Sequence, residues 1–570
     1  MGEVRKRGRA FSWFYVVMFV SIGSLVQCSK PSSIPAPPTP PPVSGSFDII
    51  GQTVDAKAFN ATQTLYGVNS KPVIEVAFSD KVDRSTVPSA ITFYNKSQSS
   101  VAVPVTISYQ RSDSSVIVTP TSNLSYLSEY VFAISTAVKS VAGKNSSGRA
   151  DLDFVTQIDS SDKFAQISDA ALLDLVQQQT FKYFWDFGHP VSGLARERNT
   201  SGETVTSGGS GFGVMAIIAA VNRGFITRQQ ALSRIQTIVG FLKNTAQKFH
   251  GAFPHWLNGT TGVVIPFSTQ DDGADLVETS YMAMGLLTAR QYFNGTDAAE
   301  AALRADINTI WSEIDWNFFR QGRSVLYWHW SPNYGFALNH AIQGWNETLI
   351  TYIIAASSST HGIEKAVYDS GFARNGNMRN GNPYYGYQLP LGEPYGGPLF
   401  FEQYSFMGVN PTGLTDAYAN YQTQTVNHTK ISYEYCKANP KGWYGYSDQC
   451  WGLTASDIPN GYTASSPTND VGVIAPTAAL SSFPYTPTES TKALKFFYYK
   501  LGDKLWGPYG FYDAFRLQDA WFANSYLAID EGPIVVMIEN YRSGLLWNLF
   551  MSCPEVKAGM QKLGFQSPYL

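Results

Sequence analysis

The chain has 570 residues and a mass of 62.7 kDa, which is enough for several domains. Its 41 Lys and Arg nearly balance its 44 Asp and Glu, and a formal net charge of −3 gives no electrostatic footprint for nucleic acid. Charged residues are only 15% of the chain and aromatic residues 14%, which excludes a mainly disordered protein; four Cys exclude a disulfide scaffold.

The first 46 residues resemble an export and anchoring segment. Basic residues between positions 5 and 9 precede an apolar stretch at 11–22, and Cys28 follows shortly afterwards. This order predicts a lipoprotein signal peptide over 1–28, with Cys28 as the lipidated residue, although an ordinary signal peptide with an incidental Cys is the alternative. Residues 29–46 are rich in Pro and predict a stiff linker. We therefore expect an exported bacterial lipoprotein that contacts the membrane only through its lipid.

Residues 47–158 have the pattern of an all-β domain. Short, partly alternating apolar runs at 72–78, 101–105, 114–119, 130–134 and 152–156 are separated by Asn, Asp, Ser, Gly and Pro. Several short strands over this length predict a β-sandwich. The segments 76–83 and 128–132 resemble the bacterial Ig-like modules that precede secreted enzymes. We find no acid pair or His cluster there, so a spacer or a weak glycan contact is expected.

From about residue 160 the apolar residues recur with a helical period. Helices are predicted at 170–187, 213–222, 228–249, 274–293, 297–316, 337–358, 412–438, 471–483, 490–500, 532–550 and 554–563. Asp297 stands at an N-cap position and Pro554 in a first turn. Paired helices that close into an α/α toroid are the compact arrangement, and a helical solenoid is the competitor. The fold class expected is therefore mainly α, with a toroid over 160–570 after the sandwich.

An acidic cluster carries the first chemical argument. Asp271, Asp275 and Glu278 lie at the predicted start of the helix at 274–293, where Asp275 and Glu278 share a face. Acids at a helix N-terminus are stabilised in the ionised form. Helix capping explains one or two of these acids. A larger group is harder to explain by structure alone, because the negative charges repel one another.

Glu347 carries the second argument. It follows Trp345 in a largely apolar helical stretch, so loss of solvation should raise its pKa as a general acid requires; an exposed surface Glu is the alternative. A desolvated Glu together with ionised carboxylates is the pattern of glycoside hydrolysis. Trp328 and Trp345 could stack on sugar rings, or they could belong to the core.

Other chemistries are less well supported. The seven His do not have zinc-ligand spacing, and His329 and His340 look isolated, so neither a metal nor a cofactor is expected. The Gly-rich run 208–213, which contains Phe212, lacks the Lys of a P-loop and should let backbone approach a ligand or a neighbour. Cys436 and Cys450 could form a disulfide, but their spacing does not establish one.

The helical region resembles the glucoamylase-like domain of bacterial glycoside hydrolase family 144. The matching stretches are SGLARER (192–198), DDGADLVETS (271–280), WNE (345–347), GPLFF (397–401), YEYC (433–436), CWGLTAS (450–456), GPYGF (507–511), IDEGP (529–533) and MIENY (537–541). The resemblance implies an (α/α)6 barrel that hydrolyses β-1,2-glucan, by endo cleavage or by release of sophorose, with inversion. It also implies no starch specificity.

The resemblance places four acids at the centre of the cleft. Glu347 is expected as general acid, and one of Asp271, Asp275 and Glu278 as the group that activates water. Further residues expected to line the site or bind substrate are Trp345, Trp328, Arg198 with its neighbour Arg196, Phe212 and Asp448, the last also as a possible base.

These observations lead to a β-1,2-glucan hydrolase anchored at a bacterial membrane, with a β-glucan or its oligosaccharides as the partner. Two alternatives remain open. One is a noncatalytic surface glycan-binding lipoprotein that uses the same aromatic cleft, and the other is a hydrolase of another glucan linkage.

Overall fold

The structure, a computed structural model, describes residues 45–570. The predicted signal peptide, the lipidation site Cys28 and the linker up to residue 44 therefore lie outside the described residues. Residues 47–570 form one unit, in which a β-rich part precedes a helical part. Over the described range, no helix is both long enough and apolar enough to cross a membrane.

The N-terminal part is a sandwich of two sheets. Its strands are β1 (Ile49–Val54), β2 (Lys57–Ala58), β3 (Leu65–Val68), β4 (Ile74–Phe78), β5 (Ile91–Asn95), β6 (Val105–Gln110), β7 (Ser115–Pro120), β8 (Glu129–Ile134) and β9 (Ala150–Thr156). One sheet has the order β2-β1-β4-β7-β6 and the other β3-β9-β8-β5. All pairs are antiparallel except β3 with β9.

Alternation along the strands fills the space between these sheets. Val76 and Val116 from one sheet and Phe93 and Phe132 from the other are buried in a single apolar cluster. The expected sandwich is therefore present. The run at 101–105 is mainly a connection, because the strand begins only at Val105.

The sandwich touches the helical part through a small aromatic junction. Tyr66 on β3 stacks on Tyr444 with ring centroids 5.5 Å apart, and its hydroxyl accepts a bond of 2.6 Å from Nε2 of Gln518. Leu127, before β8, is buried in an apolar cluster of the helical part.

The helical part contains α1 (Asp169–Trp185), α2 (Ser207–Asn222), α3 (Arg228–Asn244), α4 (Leu276–Tyr292), α5 (Ala298–Glu313), α6 (Leu349–Ser357), α7 (Tyr421–Ala438), α8 (Pro476–Leu480), α9 (Pro487–Lys495), α10 (Ala528–Ser543), α11 (Leu545–Met551) and α12 (Pro554–Leu563). Short two- and three-stranded sheets lie in the connections between them. Asp297 caps α5 and Pro554 occupies the first turn of α12, as predicted.

These helices fall into two kinds. Along α2, α4, α6 and α10 nearly every residue is buried, including small and polar ones. In contrast, α1, α3, α5 and α7 bury one face only. A helix that is buried all round must be enclosed by other helices, so the first kind forms the interior and the second the outer surface.

Glycine allows the inner helices to approach closely. A Cβ atom at Gly211 of α2 would lie 2.3 Å from the carbonyl oxygen of Tyr281 on α4. The helix α2 starts at Ser207, six residues before the predicted start at 213, because the Gly-rich run is itself helical. The expectation that this run lets backbone approach a neighbour is thus fulfilled.

The predicted helix at 337–358 is mostly wrong. Only Leu349–Ser357 is helical, and Ala341–Ile342 pairs instead with Leu326–Tyr327 as a short sheet. Glu347 therefore lies in a connection just before the N-terminus of α6. This position matters for the site.

Candidate active site

The N-termini of inner helices carry the acidic residues. Asp275 is the N-cap of α4, Glu347 lies two residues before α6, and Asp530 and Glu531 are in the first turn of α10. Free amides and the helix dipole stabilise negative charge at such ends. The acids converge as two groups of carboxyl side chains, which we call the first and second carboxyl groups.

The first carboxyl group contains Asp271, Asp275, Glu278 and Glu347, and Asp275 is its best-held member. Its Oδ1 accepts bonds of 3.0 and 2.9 Å from the backbone N–H groups of Val277 and Glu278. Its Oδ2 lies 3.0 Å from Nδ1 of His255. Burial alone would raise the pKa of Asp275, but the bond from His255 and the nearby His329 outweigh it and hold the pKa below its usual value. Asp275 is therefore a buried, ionised anchor.

Two short sheets bring histidines to this anchor. Ala274–Asp275 pairs with His329–Trp330, and Thr204–Thr206 pairs with Trp256–Asn258, next to His255. Burial disfavours the charged form of His255, but Glu278 and Asp275 raise its pKa to about 9. The positive imidazolium offsets part of the repulsion among the acids.

Asp271 has a different environment. Its Oδ2 lies 3.4 Å from Nε2 of His329, and its buried Oδ1 has no hydrogen-bond partner. Burial, and then the charge of Asp275, raise the pKa of Asp271 to about 7. His329 was predicted to be isolated, which is wrong, because strand pairing places it against two carboxylates.

Glu278 is held by the start of the neighbouring inner helix. Its Oε2 accepts a bond of 2.7 Å from the backbone N–H of Gly208 and one of 3.2 Å from Oγ1 of Thr206. A Cβ at position 208 would lie 2.5 Å from that same oxygen, so only glycine fits. Burial raises the pKa of Glu278.

Glu347 faces this group from the start of α6. It is partly exposed, and loss of solvation raises its pKa to about 7, with further contributions from Asp275 and Glu278. The buried hydroxyl of Tyr281 on α4 has no hydrogen-bond partner, and burial followed by the charges of Glu347 and Glu278 raises its pKa. Glu347 therefore has the protonation behaviour of a general acid near neutral pH.

The second carboxyl group consists of Asp457, Asp513, Asp530 and Glu531. Oδ2 of Asp513 accepts a bond of 2.7 Å from the backbone N–H of Asp457, whose carboxylate lies 3.3 Å from Nη1 of Arg198. Asp513 and Asp530 are hydrogen-bonded to each other through their side chains, and Glu531 keeps one buried oxygen without a partner. Burial raises the pKa of Asp513 to about 7 and raises those of Asp530 and Glu531 as well.

Tyr404 stands between the two groups. It packs on Tyr281 with ring centroids 5.7 Å apart, and burial followed by the charge of Asp530, with a smaller contribution from Glu347, raises its pKa. The two groups thus share one aromatic wall.

One subset could in principle hold a metal ion. Within the described residues, ligand atoms of His255, Asp271 and Asp275 lie within 4.8 Å of one another. A metal ligand must offer a lone pair, whereas His255 is protonated and already bonded to Asp275. The close approach of His255 to Asp275 is therefore explained by their ion pair.

Two expected sugar-binding residues lie in the core instead. The indole of Trp345 is 6% exposed, packs on Tyr421, and its Nε1 donates a bond of 2.9 Å to Glu402. Phe212 is wholly buried against Tyr281 and Tyr404. Neither ring has a free face for a sugar, because both rings pack on other aromatic side chains of the core.

Asp448 is also misplaced by the sequence argument. Its Oδ2 pairs with Nζ of Lys492 at 2.9 Å, on the outer surface near Tyr433 of α7. Asp448 comes just before a family motif in the sequence, but in the fold it lies on the outer surface and not at either carboxyl group. Cys436 and Cys450 are free, buried thiols in the structure.

Trp328 lies beside the first carboxyl group and Arg198 at the second, and their roles in substrate binding stay predictions. Trp328 is partly exposed and stacks on His340 with ring centroids 4.9 Å apart, beside His329. Arg198 joins Glu197 to Asp457 at the second carboxyl group, whereas Arg196 donates to the backbone carbonyls of Phe187 and Gly202.

Sequence reasoning missed His255, Tyr281, Tyr404 and the second carboxyl group. The segment IDEGP contained a signal, since two adjacent acids at a helix start match the pattern used for Asp275. The others are brought to the site only by strand pairing and helix packing.

Comparisons with known proteins find matches for both parts of the chain. A family model described as "Putative glucoamylase" matches residues 339–554, and a bacterial Ig-like domain model matches residues 48–156. A solved Bacteroides uniformis protein of the same glucoamylase description is 57% identical with a TM-score of 0.71, and the match covers 71% of this chain and all of that one. The solved endo-β-1,2-glucanase of Chitinophaga pinensis, in complex with sophorotriose and glucose, is 51% identical with a TM-score of 0.70, over 71% of this chain and 100% of its own.

The chain belongs to this glucoamylase-like family of bacterial β-1,2-glucanases, glycoside hydrolase family 144. A curated family relative is the exo β-1,2-glucooligosaccharide sophorohydrolase (non-reducing end) of Parabacteroides distasonis, which is 46% identical over 421 residues. That match covers 70% of this chain and 58% of the relative's length.

Proposed function

We propose that the protein is a glycoside hydrolase that cleaves β-1,2-glucan. The observation that carries the proposal is Glu347, a carboxyl group with a pKa raised to about 7, which faces an acid group anchored by ionised Asp275. Glycoside hydrolysis requires such a pair of environments, one that keeps a carboxylic acid protonated and one that keeps carboxylates ionised. The family's named activities supply the linkage.

The reaction would invert the anomeric configuration. Protonated Glu347 donates its proton to the oxygen of the leaving sugar, while a carboxylate removes a proton from water on the opposite face. Asp275 is unsuited to that second role, because its oxygens are occupied by two backbone amides and His255. Asp271 suits it better, since Oδ1 lacks a partner and a pKa near 7 matches a general base. Asp275 and His255 then form the ion pair that sets the electrostatic environment of Asp271.

The alternative of a noncatalytic glycan-binding protein is less well supported. A binding site gains nothing from several buried carboxyl groups, because each one costs desolvation energy unless it is paired. Binding would instead favour exposed aromatic faces, whereas the rings of Trp345 and Phe212 are buried and Trp328 is only partly exposed.

The helix arrangement also supports the (α/α)6 barrel as a proposal. Six inner segments alternate with six outer ones along residues 160–570. The inner segments are α2, α4, α6, the turns at Leu399–Glu402 and Ser405–Met407, α8 and α10; the outer ones are α1, α3, α5, the helical turns at Lys365–Val367 and Tyr368–Phe372, α7 and α9.

Export and anchoring are proposed from the sequence of the N-terminal segment. The basic start, the apolar stretch and Cys28, followed by the Pro-rich linker, support a bacterial lipoprotein. The sandwich would then separate the enzyme from the membrane surface.

The test of the activity is a substrate panel. Purified protein lacking residues 1–28 is incubated with β-1,2-, β-1,3-, β-1,4- and α-1,4-glucans, and the products are separated by chromatography. We expect products from the β-1,2-glucan alone. Sophorose as the sole early product would indicate exo action, and a range of longer oligomers would indicate endo action. If binding occurs without products from any glucan, the glycan-binding alternative replaces the proposal.

The pH dependence of kcat/KM should be a narrow bell centred near pH 7. Glu347 must be protonated, so activity falls as pH rises through its pKa of about 7. Asp271 must be ionised, so activity falls as pH drops through its own pKa of about 7. Initial rates between pH 4 and 10, in buffers of constant ionic strength, measure both limbs. A plateau extending from pH 5 to 9 would contradict the two assignments.

A further inference from the structure

A buried polar node lies behind Glu347. Glu402, at the end of the turn Leu399–Glu402, is 0% exposed. Its Oε1 accepts bonds of 2.9 Å from Nε1 of Trp345 and 2.8 Å from Nε2 of Gln424, and it lies 2.8 Å from Nδ1 of His428. A single carboxylate oxygen therefore receives three nitrogen donors.

His428 connects this node to a second segment of backbone. Nε2 of His428 lies 3.0 Å from the carbonyl oxygen of Gly397, which can only accept, so Nε2 carries a hydrogen. Nδ1 of His428 lies next to the Glu402 oxygen that also accepts the N–H groups of Trp345 and Gln424. The node thus joins Trp345, Gln424 and His428 through one buried carboxylate oxygen of Glu402.

The node is connected to Glu347 along two routes. Trp345 precedes Glu347 by two residues, and its ring is enclosed by Tyr421 and Phe406. Three residues after Glu402, Oγ of Ser405 donates a bond of 2.5 Å to the carbonyl oxygen of Glu347 and accepts one of 3.0 Å from the N–H of Ile350. One short segment, residues 402–405, therefore holds the backbone at Glu347 from both sides.

We propose that Glu402 is a positioning residue that sets the placement of the Glu347 carboxyl group through Trp345 and thereby the efficiency of leaving-group protonation. This inference rests on the proposed function, because it gives Glu347 the role of general acid. A displacement of about 1 Å in a reacting group can cost on the order of 10²-fold in rate, so a residue that touches no substrate can have a large effect.

The test uses Trp345→Phe, which keeps an aromatic ring and removes the N–H. Glu402→Gln is the second variant, since it is nearly isosteric and avoids the unfolding expected when one partner of a buried pair is deleted. Trp451→Phe is the matched control, because Trp451 is also fully buried and donates its indole N–H to the carbonyl oxygen of Glu489, with no link to Glu347.

On β-1,2-glucan, we expect Trp345→Phe to lower kcat about 10- to 100-fold with KM within about threefold, and Glu402→Gln to lower kcat less. On a 2,4-dinitrophenyl β-glycoside of a β-1,2-linked glucooligosaccharide, both variants should match the wild type, because this leaving group needs no proton. Trp451→Phe should leave both rates unchanged. Equal losses on both substrates, or no loss on either, would overturn the inference.

A crystallographic readout separates this inference from the proposed function. We expect the Glu347 carboxyl to shift or become disordered in crystals of Trp345→Phe, while it stays in place in Trp451→Phe. If wild-type protein cleaves no β-1,2-glucan, the proposed function fails, and this comparison still decides whether Trp345 places Glu347. An unmoved Glu347 in Trp345→Phe would overturn the positioning role.

Discussion

Replacing Glu347 by Gln is expected to lower kcat on β-1,2-glucan by about 10²- to 10⁴-fold, with KM changed only a few-fold. The amide keeps the shape of the side chain but has no acidic proton for the leaving oxygen. Burial raises the pKa of Glu347 to about 7, so the wild-type side chain carries that proton through neutral pH. Initial rates from the appearance of reducing ends, and calorimetric binding of a β-1,2-glucooligosaccharide, measure the two quantities.

The control for this variant is Glu434→Gln. Glu434 pairs with Lys437 on the outer helix α7, and an exposed pair of this kind contributes little to stability. The activity of Glu434→Gln should equal that of the wild type. Recovery of Glu347→Gln on the 2,4-dinitrophenyl substrate would assign the deficit to proton donation. If the variant retained more than a tenth of wild-type kcat on the glucan, Glu347 would not be the acid.

The acids could be predicted from sequence because the signals for them come from residues that are close in the chain. Asp275 and Glu278 lie within one turn at a helix start, and dense acids there stand out against the need for a single cap. Glu347 was found because an acid beside apolar neighbours loses solvation. The structure agrees with the expected direction of the pKa shift for Asp275 and Glu347, whereas burial raises the pKa of Asp271 and of Glu278, against the expectation that the helix start keeps them ionised.

Which face of an aromatic ring is free could not be predicted. Trp345 was expected to stack on a sugar and Phe212 to line the site, but their environments are set by Glu402 and Tyr281, which are distant in the chain. Periodicity also extended one helix over 337–358, although its first half forms a strand and turns. An apolar residue near an acid is compatible with either a core or a cleft, and only packing distinguishes them.

The histidines that offset the negative charge of the acids could not be predicted from the sequence either. His255 reaches Asp275 because a short strand pairs across the start of α2, and His329 reaches Asp271 through a second short sheet. Strands of two or three residues have no recognisable sequence pattern, so His329 looked isolated and His255 was missed. The acid cluster is stable as a group because those pairings bring a positive imidazolium to it.

The second large effect is expected for Asp271→Ala, which should lower kcat by about 10²- to 10⁴-fold because the attacking water loses its base. Asp271 has the two properties that the role requires, an oxygen free of partners and a pKa raised to about 7, mainly by burial. The acidic limb of the pH profile should disappear with it. Circular dichroism and thermal unfolding of the variant check that the fold is kept.

Azide distinguishes a missing base from a disturbed site. A small anionic nucleophile needs no deprotonation, so sodium azide should restore turnover of Asp271→Ala and form an α-glycosyl azide, detectable by proton NMR, since inversion of a β-linkage gives the α-anomer. Asp530→Ala is the matched comparison, because Asp530 is also a buried carboxyl group whose pKa is raised by burial and by the neighbouring Asp513. Rescue of Asp530→Ala alone would move the base to the second carboxyl group and leave Asp271 with the task of holding His329. Rescue of Asp271→Ala alone would place acid and base at the starts of neighbouring inner helices, where loss of solvation raises the pKa of both carboxyl groups to about 7.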